Sequence, residues 1–298
     1  MIDSFDSIFG HSNGEPFMKQ TLCKVKFQNE VEKRGGDFKE TVYSFSIEEG
    51  EPHALTRWLR ARKYVYDDVI EMVEGATKER NEPSKHDFYP DPEAALGVDP
   101  NVFISQYPQL YSGFSKSGCP VFYSKPGVLN IDGIECITTL DGILKFHWHI
   151  MQHDYRKRLL QFKAENPQFT NFQCVSVLDL NKLTLSMLST RSLDIIKKQS
   201  FIDSLCYPET MNKMIIVNVP RLFNMTWTLI KGWLDERTTN KVELFSSTSA
   251  AEKRLKELID LDQLPSDYGG KAESTDETMV KSLTGGVGRI FTDMMIVR

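Results

Sequence analysis

The sequence lacks most of the features that would assign it at sight. Its 5 cysteines, Cys23, Cys119, Cys136, Cys174 and Cys206, are odd in number and scattered, with no C-x-x-C pair. That excludes a disulfide framework and reads as reduced thiols in an intracellular protein. No stretch approaches the ~18 uncharged apolar residues of a membrane-spanning helix. Positive charge is not in excess: 36 Lys and Arg stand against 41 Asp and Glu, a formal net charge of −5. A net-basic footprint for nucleic acid is therefore missing, and so is a polybasic membrane anchor. The stretch from Met1 to Gly14 has no basic n-region, Ile2 stands where myristoylation needs glycine, and the C-terminus has no prenylation motif. The expectation is a soluble, cytoplasmic globule large enough to bury a full core.

Catalytic signatures are also missing. There is no G-x-x-x-x-G-K-[ST] loop, no G-x-S-x-G elbow, no H-E-x-x-H and no kinase signature. His149 and His153 share a helix face at i, i+4, but no third ligand with recognisable spacing joins them, and His147 points elsewhere. Neither Cys119 nor Cys174 is paired with a base. The expectation is no enzyme, no metal and no cofactor beyond a bound ligand.

What is present is an α/β pattern. Cys23, Val25 and Phe27 alternate with lysines, and Tyr43, Phe45 and Ile47 with serines, as short strands around an Arg34-Gly35-Gly36-Asp37 turn would. From Pro52 the period becomes helical over 53–63. Asp67 then caps a helix burying Val69, Met72, Val73 and Ala76, and residues 81–100 read as a Pro- and Asp-rich loop. Residues 110–114 and 121–123 flank Lys116-Ser117-Gly118 as a hairpin, and 138–162 is one long helix. The near-continuous apolar runs CVSVLDL (174–180) and MIIVNV (214–219), with 242–245, read as strands covered on both faces. Helices at 184–200 and 222–235 between them imply parallel pairing. PSDYGG (265–270) closes the compact region; beyond it only Phe291, Met294, Met295 and Ile296 would fold back, and Gly285-Gly286-Val287-Gly288 reads as flexible tail.

Two helices need explanation. In LTRWLRARK (55–63), Leu55, Trp58, Leu59 and Arg62 share a face, with Arg57 and Arg60 opposite. A charge in an apolar stripe needs a partner, which is either a core carboxylate or an anionic ligand such as a phosphate. In LFNMTWTLIKGWL (222–234), Phe223, Trp227, Ile230 and Leu234 form one apolar stripe, and Leu222, Met225, Leu229 and Trp233 a second. Such a helix is either fully buried or placed between a cavity and a second apolar phase.

Taken in order, RWLRARKY (57–64), CPVFYSKPG (119–127), VLDLNKL (177–183), YPETMNKMIIVNVPRLF (207–223), LDERTTNKV (234–242) and LPSDYGG (264–270) resemble the Sec14-like, or CRAL-TRIO, family of lipid-binding and lipid-transfer proteins. The resemblance spans about residues 52–271. It implies a CRAL-TRIO lobe (101–272) with a mixed, largely parallel sheet, a helical lead (51–100), a gating helix matching 222–235, a divergent segment (1–50) and a tail (273–298). It also implies a phosphatidylinositol headgroup set of Arg62, Glu209, Thr238 and Lys241. A mutual Glu209–Lys241 ion pair remains the structural alternative.

In the inner pocket, Tyr111 and Ser176 match members that also bind phosphatidylcholine, whereas Cys174 and Phe122 replace a Ser and a Tyr. The loss of two hydroxyls weakens choline-headgroup binding and leaves sterol, isoprenoid or haem as alternative ligands. Asn181-Lys182 stands where the family has Lys-Gly. The expected partners are a phospholipid, a transient membrane surface at the periphery of intracellular membranes, and lipid kinases or trafficking machinery, with no nucleic acid and a monomeric state. An interaction module without transfer is the rival from another class.

Overall fold

The computed structural model describes residues 15–284 apart from 168, 170, 171 and 235. Seven helices lead the chain: α1 (Glu15–Arg34), α2 (Gly36–Val42), α3 (Ser46–Glu49), α4 (Glu51–Ala61), α5 (Tyr66–Lys85), α6 (Pro92–Leu96) and α7 (Pro100–Gln106). The strands expected at 23–27 and 43–47 are therefore corrected to helix and turn. The deciding period is four: Cys23, Phe27 and Val31 share a face, with Phe27 and Val31 buried, while Val25 is 51% exposed. The Gly35-Gly36 turn does exist, but it joins two helices, and both glycines take positive φ (61° and 46°) that other residues avoid.

Val69, Met72, Val73 and Ala76 are buried on α5 as the period implies. Asp67 does not cap this helix: Val65 holds the cap position, and Asp67 lies in the first turn, where its charge suits the helix dipole. The expected loop at 81–100 is mostly helical. α5 continues to Lys85, and Asp91 and Asp99 each accept backbone N–H bonds at the start of α6 and α7, with proline next in the chain. Those Asp-Pro pairs are helix starts.

The lobe follows as β1 (Gln109–Phe114), β2 (Pro120–Ser124), α8 (Ile131–Ile137), α9 (Leu140–His149), a π-helical turn (Ile150–Asp154), α10 (Tyr155–Glu165), β3 (Cys174–Asp179), α11 (Thr190–Cys206), β4 (Met211–Val217), α12 (Phe223–Lys231), α13 (Glu236–Thr239), β5 (Val242–Leu244), α14 (Thr248–Leu258) and α15 (Thr275–Thr284). The sheet order is β1-β2-β3-β4-β5, antiparallel for the first pair and parallel thereafter. The fold class is α/β with a mixed, largely parallel sheet. Lys182, just past β3, adopts φ +68°, a conformation that suits glycine better.

The two sheet faces differ in what covers them. Val121 and Tyr123 of β2, Val175 and Val177 of β3, and Ile215 and Val217 of β4 pack against Ala251, Leu255, Ile259 and Tyr268 as a solid core. The alternate residues, Phe122, Ser124, Cys174, Ser176, Leu178, Met214 and Ile216, face a cavity. A continuous apolar run thus satisfies one packed layer and one hollow one. The chain after PSDYGG stays on the body: in α15 Thr275 is fully buried and Met279 nearly so, and Lys125 bridges Asp267 (3.3 Å) and Asp276 (2.6 Å). Gly285 to Gly288, Phe291, Met294, Met295 and Ile296 lie outside the described residues.

Lead and lobe are fastened by a residue placed above on the helix face opposite the apolar stripe. Arg57 is 5% exposed. Its guanidinium donates to Glu49 (3.1 Å) and to the Pro208 carbonyl (3.1 Å). α4 buries more than one side because α3 and the 207–210 loop both close on it, and Glu49 supplies the counter-charge. Removing one partner of such a pair strands the other charge. Arg57→Ala is expected to cost about 3–5 kcal/mol in urea unfolding, whereas a Glu49→Leu, Arg57→Met double variant recovers most of that loss. Equal losses in both variants would contradict the pairing.

Candidate functional site

The hollow face of the sheet floors a cavity of about 2100 Å³ of atom-free space, counting its opening to solvent. One register row crosses the floor, Tyr111–Phe122–Ser176–Met214–Val242. Walls come from α9, the π-turn, α11 and the Leu185–Leu188 3-10 turn, and α12 lies across the cavity. The side chains expected to bind ligand, and the inner stripe of the gating helix, all line this one cavity: Arg62, Tyr111, Phe122, Cys174, Ser176, Glu209, Phe223, Trp227, Ile230, Leu234, Thr238 and Lys241.

The polar members gather where the end of α4, the 207–210 loop and α13 meet. Arg62 caps the C-terminus of α4; its guanidinium donates to the Ala61 carbonyl (3.2 Å) and forms no ion pair among the described residues. Glu209 sits at φ +61°, a conformation that costs an L-residue about 1–3 kcal/mol and is found where surrounding structure imposes it. Lys241 Nζ donates to its carboxylate at 3.3 Å, so the ion pair left open in the sequence exists.

Arg237 was missed. Its Nε and Nη2 hold both Glu209 oxygens (3.2 and 3.3 Å), and its Nη1 donates to the Arg60 carbonyl. One side chain thereby ties the lead, the Glu209 loop and α13 together. The signal available was a second cation beside Lys241 within LDERTTNKV; nothing in its spacing set it apart from a surface arginine.

Burial pushes the Cys174 thiol up to about 12, so it stays neutral and acts as part of an apolar wall. Burial also raises the Tyr111 hydroxyl, whose ring stands 5.0 Å from that of Phe122. His147, expected to point elsewhere, lines the cavity and meets Asp203 of α11 at 2.7 Å. His149 and His153 contact the carbonyls of Tyr89 (2.7 Å) and Asp87 (2.8 Å), clasping the turn after α5. No group of residues able to hold a metal occurs among the described residues.

α12 is shorter than the helix expected at 222–235, ending at Lys231; Asp235 lies outside the described residues. Phe223, Trp227 and Ile230 face the cavity, as does Leu234 from the following turn, while Met225 is 86% and Leu229 52% exposed. Full burial of this helix is excluded. Among the described residues no helix is long and apolar enough to cross a membrane.

The CRAL/TRIO domain family matches residues 104–270, and the chain belongs to that family, in its Sec14-like branch. SEC14 cytosolic factor of Candida glabrata is 30% identical over 220 residues, covering 74% of this chain and 70% of that one. Phosphatidylinositol/phosphatidylcholine transfer protein SFH9 of Arabidopsis thaliana is 25% identical over 252 residues, 83% of this chain but 42% of its own length. The chain thus spans about two-fifths of such plant relatives. The crystal structure of Sfh5 shares the fold with a TM-score of 0.62 at 16% identity, covering 90% of this chain and 92% of that one.

The thiols give a direct check on burial. Among the cysteines only Cys136 is exposed. Labelling the native protein with a thiol reagent at pH 8 is expected to modify Cys136 in a first fast phase, part-buried Cys23 and Cys174 more slowly, and to leave Cys119 and Cys206 for the unfolded state. Fast modification of Cys119 or Cys206 would contradict their burial.

Proposed function

We propose that this chain binds a phospholipid, phosphatidylinositol in preference to others, and transfers or presents it between membranes without chemical turnover. The carrying observation is the convergence of Arg62, Glu209, Thr238 and Lys241 at one junction on the rim of an apolar cavity. Acyl chains would lie along Leu178, Met214, Ile216 and the inner stripe of α12. Arg62, which has no carboxylate partner among the described residues, would meet the phosphodiester. Glu209 would accept from inositol hydroxyls, and Thr238 and Lys241 would donate to the headgroup. The reading is supported by the lipids in the names of SFH9 and similar plant relatives and by the family fold. Work in the cytoplasm, with brief visits to membranes, fits the name of the Candida glabrata relative and the apolar residues Met225 and Leu229 displayed on α12.

A second reading keeps the fold and changes the cargo. Phe122, opposite Ser176, and Cys174, two residues from Ser176 along the same strand, both line the sheet floor where choline-lipid binders carry hydroxyls, which favours a sterol, an isoprenoid or haem as the exchanged second ligand over phosphatidylcholine.

Vesicle assays separate these readings. Arg62→Ala and Lys241→Ala are each expected to lower phosphatidylinositol transfer by about tenfold or more, the scale of a lost charge-assisted hydrogen bond, with the unfolding midpoint little changed. Undiminished transfer in both variants would remove the headgroup assignment. Met225→Asp with Leu229→Asp is expected to slow transfer while leaving co-purified lipid in place, because it alters the membrane-facing side of α12 only. Loss of the bound lipid itself would contradict that division of the helix.

A further inference from the structure

Among the described residues, two carboxylates line the lipid cavity, and only one of them is balanced by the protein. Glu209 is held by Arg237 and Lys241. Asp203 meets no Lys or Arg among the described residues. His147 Nε2 lies 2.7 Å from its Oδ1, while its Oδ2 takes part in no hydrogen bond with a described residue. The carboxylate is also within reach of a ligand: 44% of the Asp203 side chain is exposed, against 13% for His147.

Asp203 stands on the face of α11 turned to the cavity. Ser192, Ile196, Gln199, Ser200, Asp203 and Tyr207 recur at three and four residues and line that space, whereas Ile202 and Cys206 join the core around α5. Burial raises the Cys174 thiol and the Tyr111 hydroxyl on the sheet floor, and the negative charge of Asp203 acts in the same direction on both, as a carboxylate projecting into the cavity does. One wall of an otherwise apolar space is thus polar and anionic.

A carboxylate in such surroundings costs free energy unless a counter-charge and donors answer it. His147 supplies one N–H, because a carboxylate only accepts. Gln199 and Ser200, one turn earlier on the same face, add side-chain acceptors beside Asp203. A group with positive charge and several N–H donors matches this wall, giving one donor to Oδ2 and others to Gln199 Oε1 and Ser200 Oγ. A quaternary choline head has no N–H to give, a fatty acid brings a second anion, and an alcohol brings one donor without charge.

We propose that this wall of α11 binds the primary ammonium head of a lipid, with Asp203 as its counter-charge. The inference rests on the reading of the cavity as a lipid site and names the chemistry of its second cargo. A simple lipid amine and an ethanolamine phospholipid both carry the required group.

Chain-matched lipids test the proposal. The full chain is incubated with phosphatidylcholine vesicles carrying octadecylamine, octadecanol or octadecanoic acid in turn, and native mass spectrometry identifies the occupant. Octadecylamine is expected to load about tenfold better than the alcohol, with the acid last. Asp203→Asn, which keeps the size of the side chain and loses its charge, is expected to remove that preference. Should the variant fail to fold, the ranking of the three lipids on the unaltered chain still decides. Vesicles carrying phosphatidylethanolamine separate the sources. Its loading in preference to phosphatidylcholine assigns the head to a phospholipid, and loading of octadecylamine alone assigns it to a simple amine. Equal loading of amine and alcohol, or a preference for the amine that survives Asp203→Asn, would overturn the proposal. Uptake of phosphatidylinositol by the same preparation distinguishes two failures: where it occurs, only the ammonium site falls, and where it does not, the lipid cavity falls as well.

Discussion

The rest of the structure depends on a sheet with one face solidly packed and the other only partly covered. Val121, Tyr123, Val175, Val177, Ile215 and Val217 interdigitate with α14 and the turns after it, and that layer alone is a complete hydrophobic core. The residues between them project towards space enclosed by α9, α11 and α12. An apolar wall left in contact with water forgoes the gain from burial, about 0.8 kcal/mol for each methylene that would otherwise be covered. A cargo with long acyl chains would supply that cover, and cavity occupancy and lobe stability would then be coupled through the same atoms.

The polar end of the cavity is coupled to the fold in another way. Glu209 lies one residue beyond Pro208, whose carbonyl is held by buried Arg57, and Arg237 links Glu209 to the Arg60 carbonyl. The helical lead is therefore part of the site, because it fixes the backbone on both sides of the carboxylate. Glu209 keeps a left-handed backbone conformation through these constraints, and its carboxylate is aligned by two cations before any ligand arrives. Binding a phosphate-bearing headgroup would add an anion to this junction, which Arg62 and the cations already held by Glu209 would answer.

Much of this was legible in the sequence. The lobe was readable because buried parallel strands and amphipathic helices alternate at regular lengths, and the motifs carrying Arg62, Glu209, Thr238 and Lys241 fall at element ends that converge. The lead was not. Three alternating residues at 23–27 imitate a strand, and only the longer four-residue recurrence to Val31 reveals the helix. Arg57 and Arg237 look like solvated cations because each is defined by a partner far away in sequence, Pro208 in one case and Arg60 in the other. Arg80 shows the converse: it sits in the apolar stripe of α5 in plain view, and only its surroundings reveal that no carboxylate among the described residues pairs with it. Helical periodicity places a residue on a face but does not say what that face meets.

Native mass spectrometry of the purified chain, followed by extraction and fragmentation of whatever is released, tests the central claim most directly. A single inositol phospholipid bound per chain, lost in a variant combining Arg62→Ala with Lys241→Ala, is the expected result. A chain that carries no phospholipid, or whose co-purified ligand is a sterol, an isoprenoid or haem in place of it, would contradict the account.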